Sequence, residues 1–294
     1  MEKTNQNQIQ VPKSQSEPST LKRFNACIAR VETQNYLEQV LGEKKSPFVN
    51  NVTALVANNA SLQMCQPMTL IYAALKATAL DLPLDPNLGF AYVIPYNDRK
   101  AGVTNAQFQI GYKGFIQLGI RSGQFLKINV TEIVDGELVS EDLLTGDIKI
   151  CRVTDRESRP VIGYAAYFAL VNGFSKTLYM SVDEIKAHAG KYSQTYSSKN
   201  EYVRNSSKWT TDFDSMAKKT VLKLLLSKYA PMSVDMAAAI TADQAAIDSE
   251  GRAYYIDNPA PDDQTPEDKA SEVECHKAEM RMSSSAAKVS ETLL

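Results

Sequence analysis

Two runs rich in aromatic and β-branched residues, 161–171 and 174–180, are separated only by Asn172-Gly173. Parallel strands need a crossover of a dozen or more residues, so a link this short joins antiparallel strands. Asn-Gly supplies the positive φ angles of a tight type I′ turn. An antiparallel sheet is therefore fixed in the middle of the chain, and the rest must be arranged around it. Other stretches extend the sheet. Residues 89–96 (GFAYVIPY) and 106–110 flank a polar connection carrying Arg99 and Lys100, which predicts a second hairpin. Residues 125–134 form a further strand ending at the turn Asp135-Gly136, and short pieces at 138–139 and 147–153 flank Thr145-Gly146.

Helical patterns lie on either side. One spans about 20–41 and stops at Gly42. Ser46-Pro47 reads as N-cap and first helical residue, followed by Phe48, Val52, Leu55 and Val56 at helical spacing. Pro67 opens another helix, with Leu70, Ile71, Ala74 and Leu75 on one face. Residues 111–122 form a short helix that ends at Gly123. Ser181-Val-Asp-Glu184 is a capping box, and Gly190 is the expected stop of its helix. Asp212 or Asp214 can cap a helix running to Lys228, and Ser233 one reaching about Ile247. This order gives an α+β fold, a central and mostly antiparallel sheet packed with helices, without strict β-α-β alternation. It predicts one ordered domain over 21–247, between disordered segments at 1–20 and 248–294 that are polar or acidic and lack periodic apolar residues.

The net charge of −2 hides an asymmetry. Residues 248–294 hold eleven acidic and five basic residues, whereas 186–228 holds nine basic and three acidic ones. A local basic run attracts phosphate even on a slightly acidic chain. No apolar stretch approaches the ~18 residues of a membrane span, and the N-terminus lacks a signal peptide's apolar core, so a cytoplasmic protein is expected. Cys27, Cys65, Cys151 and Cys275 are too scattered for a local metal knuckle and read as free thiols.

Several chemistries are absent. There is no G-x-x-x-x-G-K-[ST], and Gly111-Tyr-Lys-Gly114 has neither that spacing nor the hydroxyl that would hold Mg²⁺. No catalytic residue, ATP site or other cofactor is assigned. No site for Mg²⁺ is identifiable. His188 has no placed nucleophile beside it. Glu132, Asp135, Glu137, Glu141 and Asp142 crowd one hairpin region and keep a metal-dependent nuclease open as an alternative, although solvated acids are common at strand and turn positions.

Single-strand binding fits better, because two stretches interleave cations with aromatic rings. In the first, Lys113, Arg121 and Lys127 stand among Phe108, Tyr112, Phe115 and Phe125. The phenylalanines suit a core. In the second, Lys191, Tyr192, Tyr196, Lys199, Tyr202, Arg204 and Lys208 form a polar stretch read as an exposed loop. On the following helix, Ala217, Val221, Leu224 and Leu225 form an apolar stripe, and Lys218, Lys219 and Lys223 fall on another face. No acidic residue between Met216 and Lys228 can pair with those lysines, which points them at an anion.

Taken together, Pro67-x-Thr69-Leu-Ile71, the run from Leu82 to Tyr96, Phe108-Gln-Ile-Gly-Tyr-Lys-Gly-Phe-Ile-Gln-Leu118 and Arg121-Ser-Gly123 strongly resemble the RecT family of phage and prophage single-strand annealing recombinases. Ile162-Gly-Tyr164, Asn172-Gly-Phe174, Trp209-x-x-Asp212-Phe-Asp-x-Met-Ala-x-Lys219-Thr220 and Lys223-x-Leu-Leu226 continue it in order, over roughly 25–245. The resemblance implies a sheet-and-helix core shared with other annealing proteins. It also implies assembly into rings or filaments on single-stranded DNA, ATP-independent pairing of complementary strands, an annealed duplex as product, and a partner exonuclease. Lys113, Arg121, Lys219 and Lys223 lie inside the matched motifs and become candidate backbone contacts. A passive single-strand coating protein is the remaining alternative.

Overall fold

A computed structural model describes residues 19–98, 101–193, 195–243, 245–247 and 253–255. In chain order the helices are α1 (Ser19–Ile28), α2 (Val31–Leu41), α3 (Lys45–Ala57), α4 (Ala60–Gln63) and α5 (Pro67–Ala79). Strands β1 (Ala91–Asp98) and β2 (Val103–Ile110) follow, then α6 (Tyr112–Arg121) and β3 (Phe125–Val134). Next come β4 (Leu138–Glu141), β5 (Ile148–Ile150), β6 (Val161–Leu170) and β7 (Ser175–Ser181). The chain continues through α7 (Val182–Tyr192), α8 (Glu201–Ser206), α9 (Lys208–Thr211), α10 (Phe213–Tyr229) and α11 (Val234–Ala242), then β8 (Ala245–Ile247) and β9 (Ala253–Tyr255). The body runs to Tyr254. Most of the expected disordered segments, 1–18, 248–252 and 256–294, lie outside the described residues.

The α+β reading holds, but the sheet is divided. One sheet has the order β1-β2-β8-β9, a second has the order β3-β6-β7, and β4-β5 is a separate ribbon. Helix α5 covers β1 and β2, burying Thr69, Leu70, Ile71, Ala73, Ala74 and Ala77. The Thr69 hydroxyl accepts the Ala106 N–H at 2.8 Å and donates to the Gln66 carbonyl at 2.7 Å, fixing that helix against β2. Helix α10 lies across β6, β7 and β3 and against α6. It buries Leu222 and Leu226 as well as Ala217, Val221 and Leu225, so its apolar surface is wider than the expected stripe, and Leu224 lies only at its margin.

Local expectations fared unevenly. Ser181 and Glu184 form the reciprocal capping box, and Asp212 and Ser233 cap α10 and α11. The Asn172-Gly173 hairpin is present, but the turn is not type I′. Only Gly173 has a positive φ, +89°. Its N–H donates to the Leu170 carbonyl at 3.0 Å while the Leu170 N–H donates to Phe174 O at 2.8 Å. The strands stop pairing at Ala169 and Ser175, leaving a loop that a type I turn and a left-handed glycine close. Ser46 is not an N-cap. Helix α3 starts at Lys45, straight out of the 3₁₀ turn Gly42–Lys44, and Pro47 sits in its first turn, where a missing N–H costs little. The expected first helix is two, broken at Ala29-Arg30, and Gly190 lies inside α7 rather than closing it. Residues 245–247, expected at the end of the last helix, pair instead with β2 through Ala246 and Gln107.

Candidate nucleic-acid interface

Three elements meet at the start of β1. The chain enters through Gly89, whose φ is +72°. The first turn of α6 packs on it so closely that a Cβ at Gly111 would stand 2.2 Å from Gly89 O, and one at Gly114 2.2 Å from Phe90 O. The Gly-Tyr-Lys-Gly motif is thus a close-packing device. It places Lys113 and Tyr92 beside Gly89, each within 3.5 Å of where its Cβ would be. Burial raises the Tyr92 phenol pKa, with smaller contributions from Asp212 and Tyr112, so the joint between α9 and α10 lies close to this corner.

The segment 191–208, between α7 and α10, was expected to be an exposed loop with room for one turn of helix. It folds into α8 and α9, each opened by a side-chain cap, Asn200 and Ser207. Trp209 is buried and anchors it, with Tyr196 at 6.2 Å and Phe213 at 6.0 Å between ring centroids. Tyr196 is therefore partly buried packing, a correction to its reading as a stacking candidate. Tyr202 remains 83% exposed. Tyr192 stacks on His188 at 4.5 Å, with Lys191 Nζ 5.2 Å from its ring.

The cations divide sharply. Among the described residues, Lys113, Lys127, Lys191, Lys199, Arg204 and Lys208 are exposed and form no ion pair. Three of the four lysines of α10, Lys218, Lys219 and Lys223, do not behave as expected. Lys219 Nζ donates to Asp243 Oδ1 and Lys223 Nζ to Asp243 Oδ2, both at 2.8 Å. Lys218 Nζ lies 2.6 Å from Glu132 Oε2. Asp214, in the first turn of α10, accepts from the Tyr164 hydroxyl, and the fold brings the lysines one acid from downstream, Asp243, and one from β3, Glu132. Lys219 is buried and so unsuited to a phosphate contact. Arg121 is also engaged, donating to Leu80 O at 2.7 Å and to Asp81 at the end of α5. Lys127 stands on β3, at the other end of α6 from Lys113. Arg99 and Lys100 lie outside the described residues.

Asp243 is the buried acid that the sequence reading missed. Its carboxylate is fully buried and also accepts the Ile110 N–H at 3.0 Å. Burial alone would raise its pKa, but Lys219 and Lys223 outweigh it and hold the carboxyl below the usual carboxylate range. Of the acids proposed for a nuclease, Glu137 is buried, accepts the Val134 N–H and pairs with Arg156 at 2.9 Å. Glu132 pairs with Lys218 and Arg156, and the hydrogen bond from Lys218 is the main cause of its lowered pKa. Among the described residues no three His, Cys, Asp or Glu side chains converge to hold a metal ion, and no helix is long and apolar enough to cross a membrane.

The model of the RecT family matches residues 46–256, which takes in β1, α6, the cationic segment and Asp243. The chain belongs to the RecT family. Its relatives include the uncharacterized protein YqaK of Bacillus subtilis (strain 168), 41% identical over 225 residues, which cover 76% of this chain and 69% of that protein. Protein RecT of Escherichia coli (strain K12) is 29% identical over 205 residues, 67% of this chain and 70% of that one. RecT membership carries DNA binding and single-strand annealing in recombination as the general role.

Proposed function

We propose that this chain binds single-stranded DNA along the exposed cations of 191–208 together with Lys113, and pairs it with a complementary strand without ATP, as a homo-oligomer. The supporting observation is that Lys113, Lys191, Lys199, Arg204 and Lys208 are exposed and form no ion pair among the described residues, whereas Lys218, Lys219 and Lys223 of α10 are neutralised within the fold. Cations held without a carboxylate partner keep their full attraction for phosphate. Tyr202 and Tyr192 offer flat faces to bases, worth roughly 1–3 kcal/mol for each base stacked. Contacts to phosphate leave base edges open to a second strand, so base pairing supplies the sequence discrimination and the protein supplies alignment and charge neutralisation. The setting of this reading is the cytoplasm of a bacterial host, beside an exonuclease that generates the single strand.

The salt dependence of binding tests it. Each phosphate contact on a single strand contributes roughly 0.7 to the slope of log affinity against log salt. The triple variant Lys199→Ala/Arg204→Ala/Lys208→Ala should flatten that slope by about 2. Lys76→Ala, on the exposed face of α5, should leave it unchanged. An unaltered slope in the triple variant would remove the segment from the binding surface.

A further inference from the structure

Glu132 of β3 is shared by two cations that depend on it unequally. Its Oε2 lies 2.6 Å from Lys218 Nζ, and its Oε1 lies 3.4 Å from Arg156 Nη1. Arg156 has other partners. Its Nε donates to Glu137 Oε1 at 2.9 Å and its Nη2 to the Glu132 backbone carbonyl at 2.7 Å. Among the described residues, Lys218 forms an ion pair with Glu132 alone. Withdrawing Lys218 would therefore leave Glu132 beside a guanidinium, with Arg156 still held by Glu137. The side chains of Lys218, Glu132 and Arg156 are 20%, 29% and 30% exposed, so water reaches the pair and its opening strands no buried charge. Asp243 offers no such freedom, because its carboxylate is wholly buried together with Lys219.

Lys218 also adjoins the corner built around Gly89. Its ammonium lies 6.0 Å from the centroid of the Tyr112 ring. Tyr112 opens α6, Lys113 follows it, and Lys113 and Tyr92 converge at Gly89. Lys218 thus stands on the edge of the surface that Lys113 contributes to, and differs from Lys113 in having a carboxylate on its ammonium. The fold keeps the two groups of the pair in reach by other contacts. Glu132 is in register with Tyr164 of β6, and the Tyr164 hydroxyl donates to Asp214 in the first turn of α10. Helix α10 is anchored there whether or not Lys218 is paired.

We propose that Lys218 is a phosphate contact held in reserve and that Glu132 sets its strength. On loading, the Lys218 ammonium passes from the Glu132 carboxylate to a phosphate of the strand at the Lys113 corner, and Arg156 keeps Glu132 neutralised. Opening the pair offsets part of what Lys218 gains on phosphate, so the strand is held less tightly than the cations alone would hold it. This inference rests on the reading of Lys113 and 191–208 as the DNA surface, and adds to it one contact and the residue that governs it.

The test titrates full-length chains against a labelled oligothymidylate by fluorescence anisotropy over a range of salt concentrations. Lys218→Ala should weaken binding and flatten the salt slope by roughly 0.7. Lys218→Arg keeps the charge and should keep the wild-type slope. Glu132→Gln preserves the shape of the side chain and an oxygen for Arg156, and should bind about two- to fivefold more tightly. In Glu132→Gln/Lys218→Ala that gain should vanish, because it acts through Lys218. Unchanged circular dichroism and melting would show that the variants are folded, and the comparison of the two Lys218 variants stands even where Glu132→Gln is destabilised. No tightening in a folded Glu132→Gln, or equal tightening in the double variant, would overturn the inference, the latter by tracing the gain to the general loss of a negative charge. Equal losses in Lys218→Ala and Lys218→Arg would overturn it by tracing the effect to packing on Tyr112. The Lys199→Ala/Arg204→Ala/Lys208→Ala variant belongs in the same series. A flattened slope there with no effect at Lys218 would overturn this inference alone, whereas no flattening in either would overturn the DNA surface on which it rests.

Discussion

Replacing Asp243 should be among the most destabilising single changes in the body. Its carboxylate is wholly buried between α10 and the end of β2, where it holds Lys219, Lys223 and the Ile110 amide. In Asp243→Ala, Lys219, whose side chain is only 6% exposed, loses the carboxylate that neutralises it at 2.8 Å. Lys223, 25% exposed, can turn partly to water. Removing one partner of a buried ion pair costs about 3–5 kcal/mol. The stranded Ile110 N–H adds about 1–3 kcal/mol, part of which overlaps with the first loss. A net cost of about 4–5 kcal/mol is expected, and at 2–4 °C per kcal/mol for a body of this size the melting temperature should fall by about 10–20 °C. Asp243→Asn should cost less, because an amide oxygen can still accept one of the three bonds. Folding lowers this pKa, so the contribution is present above the unfolded carboxylate value of about 4 and fades as pH falls below it. The gap between wild type and Asp243→Asn should therefore be full at pH 7, start to narrow as pH falls below about 4 and close only below the lowered pKa of the folded carboxyl. Urea titrations across this pH range measure it. A loss of less than about 1 kcal/mol in Asp243→Ala at pH 7, against the 3–5 kcal/mol typical of a broken buried pair, would refute the buried triad.

Three further outcomes follow from the same structure. Gly114→Ala should cost about 1–3 kcal/mol in urea unfolding, because its Cβ would stand 2.2 Å from Phe90 O and the first turn of α6 would have to move. Burial pushes the Cys65 thiol up to about 12, so at pH 8 iodoacetamide should label exposed Cys151 and leave Cys65 unmodified in the folded chain, as peptide mapping would show. His188 is depressed by burial first and then by Lys223 and Lys191, so its imidazole should titrate below the ordinary value near 6.5 in NMR, and the stability it contributes should be lost as pH falls. Adding a single-stranded oligonucleotide should raise that midpoint if phosphate settles beside Lys191.

What could be read in the sequence was whatever is decided within a few residues. The Ser181 capping box, the Asp212 and Ser233 caps, Pro67 at its helix start and the 125–134 strand all depend on neighbours in sequence. The reading went astray where partners come from afar. Lys218, Lys219 and Lys223 looked like an anion-binding face because no acid lies between Met216 and Lys228, yet Asp243 and Glu132 reach them across the fold. Tyr196 looked exposed because its segment is polar, but Trp209 gives it a surface to pack on. The Asn172-Gly173 turn was placed correctly and typed wrongly, since the register at Ala169 and Ser175 decides the loop length. One signal could have flagged Asp243: it is the lone charged residue in a mostly apolar and small-residue stretch from Met236 to Ile247.

The central claim is strand annealing without nucleotide, and one fluorescence experiment tests it directly. The protein is loaded on one labelled strand, a complementary strand carrying the second fluorophore is added without ATP, and a scrambled strand serves as control. Fast pairing of the complementary strand alone, with the duplex still protein-bound, is the predicted result. Tight binding with pairing no faster than that of naked DNA would contradict it and leave a coating protein.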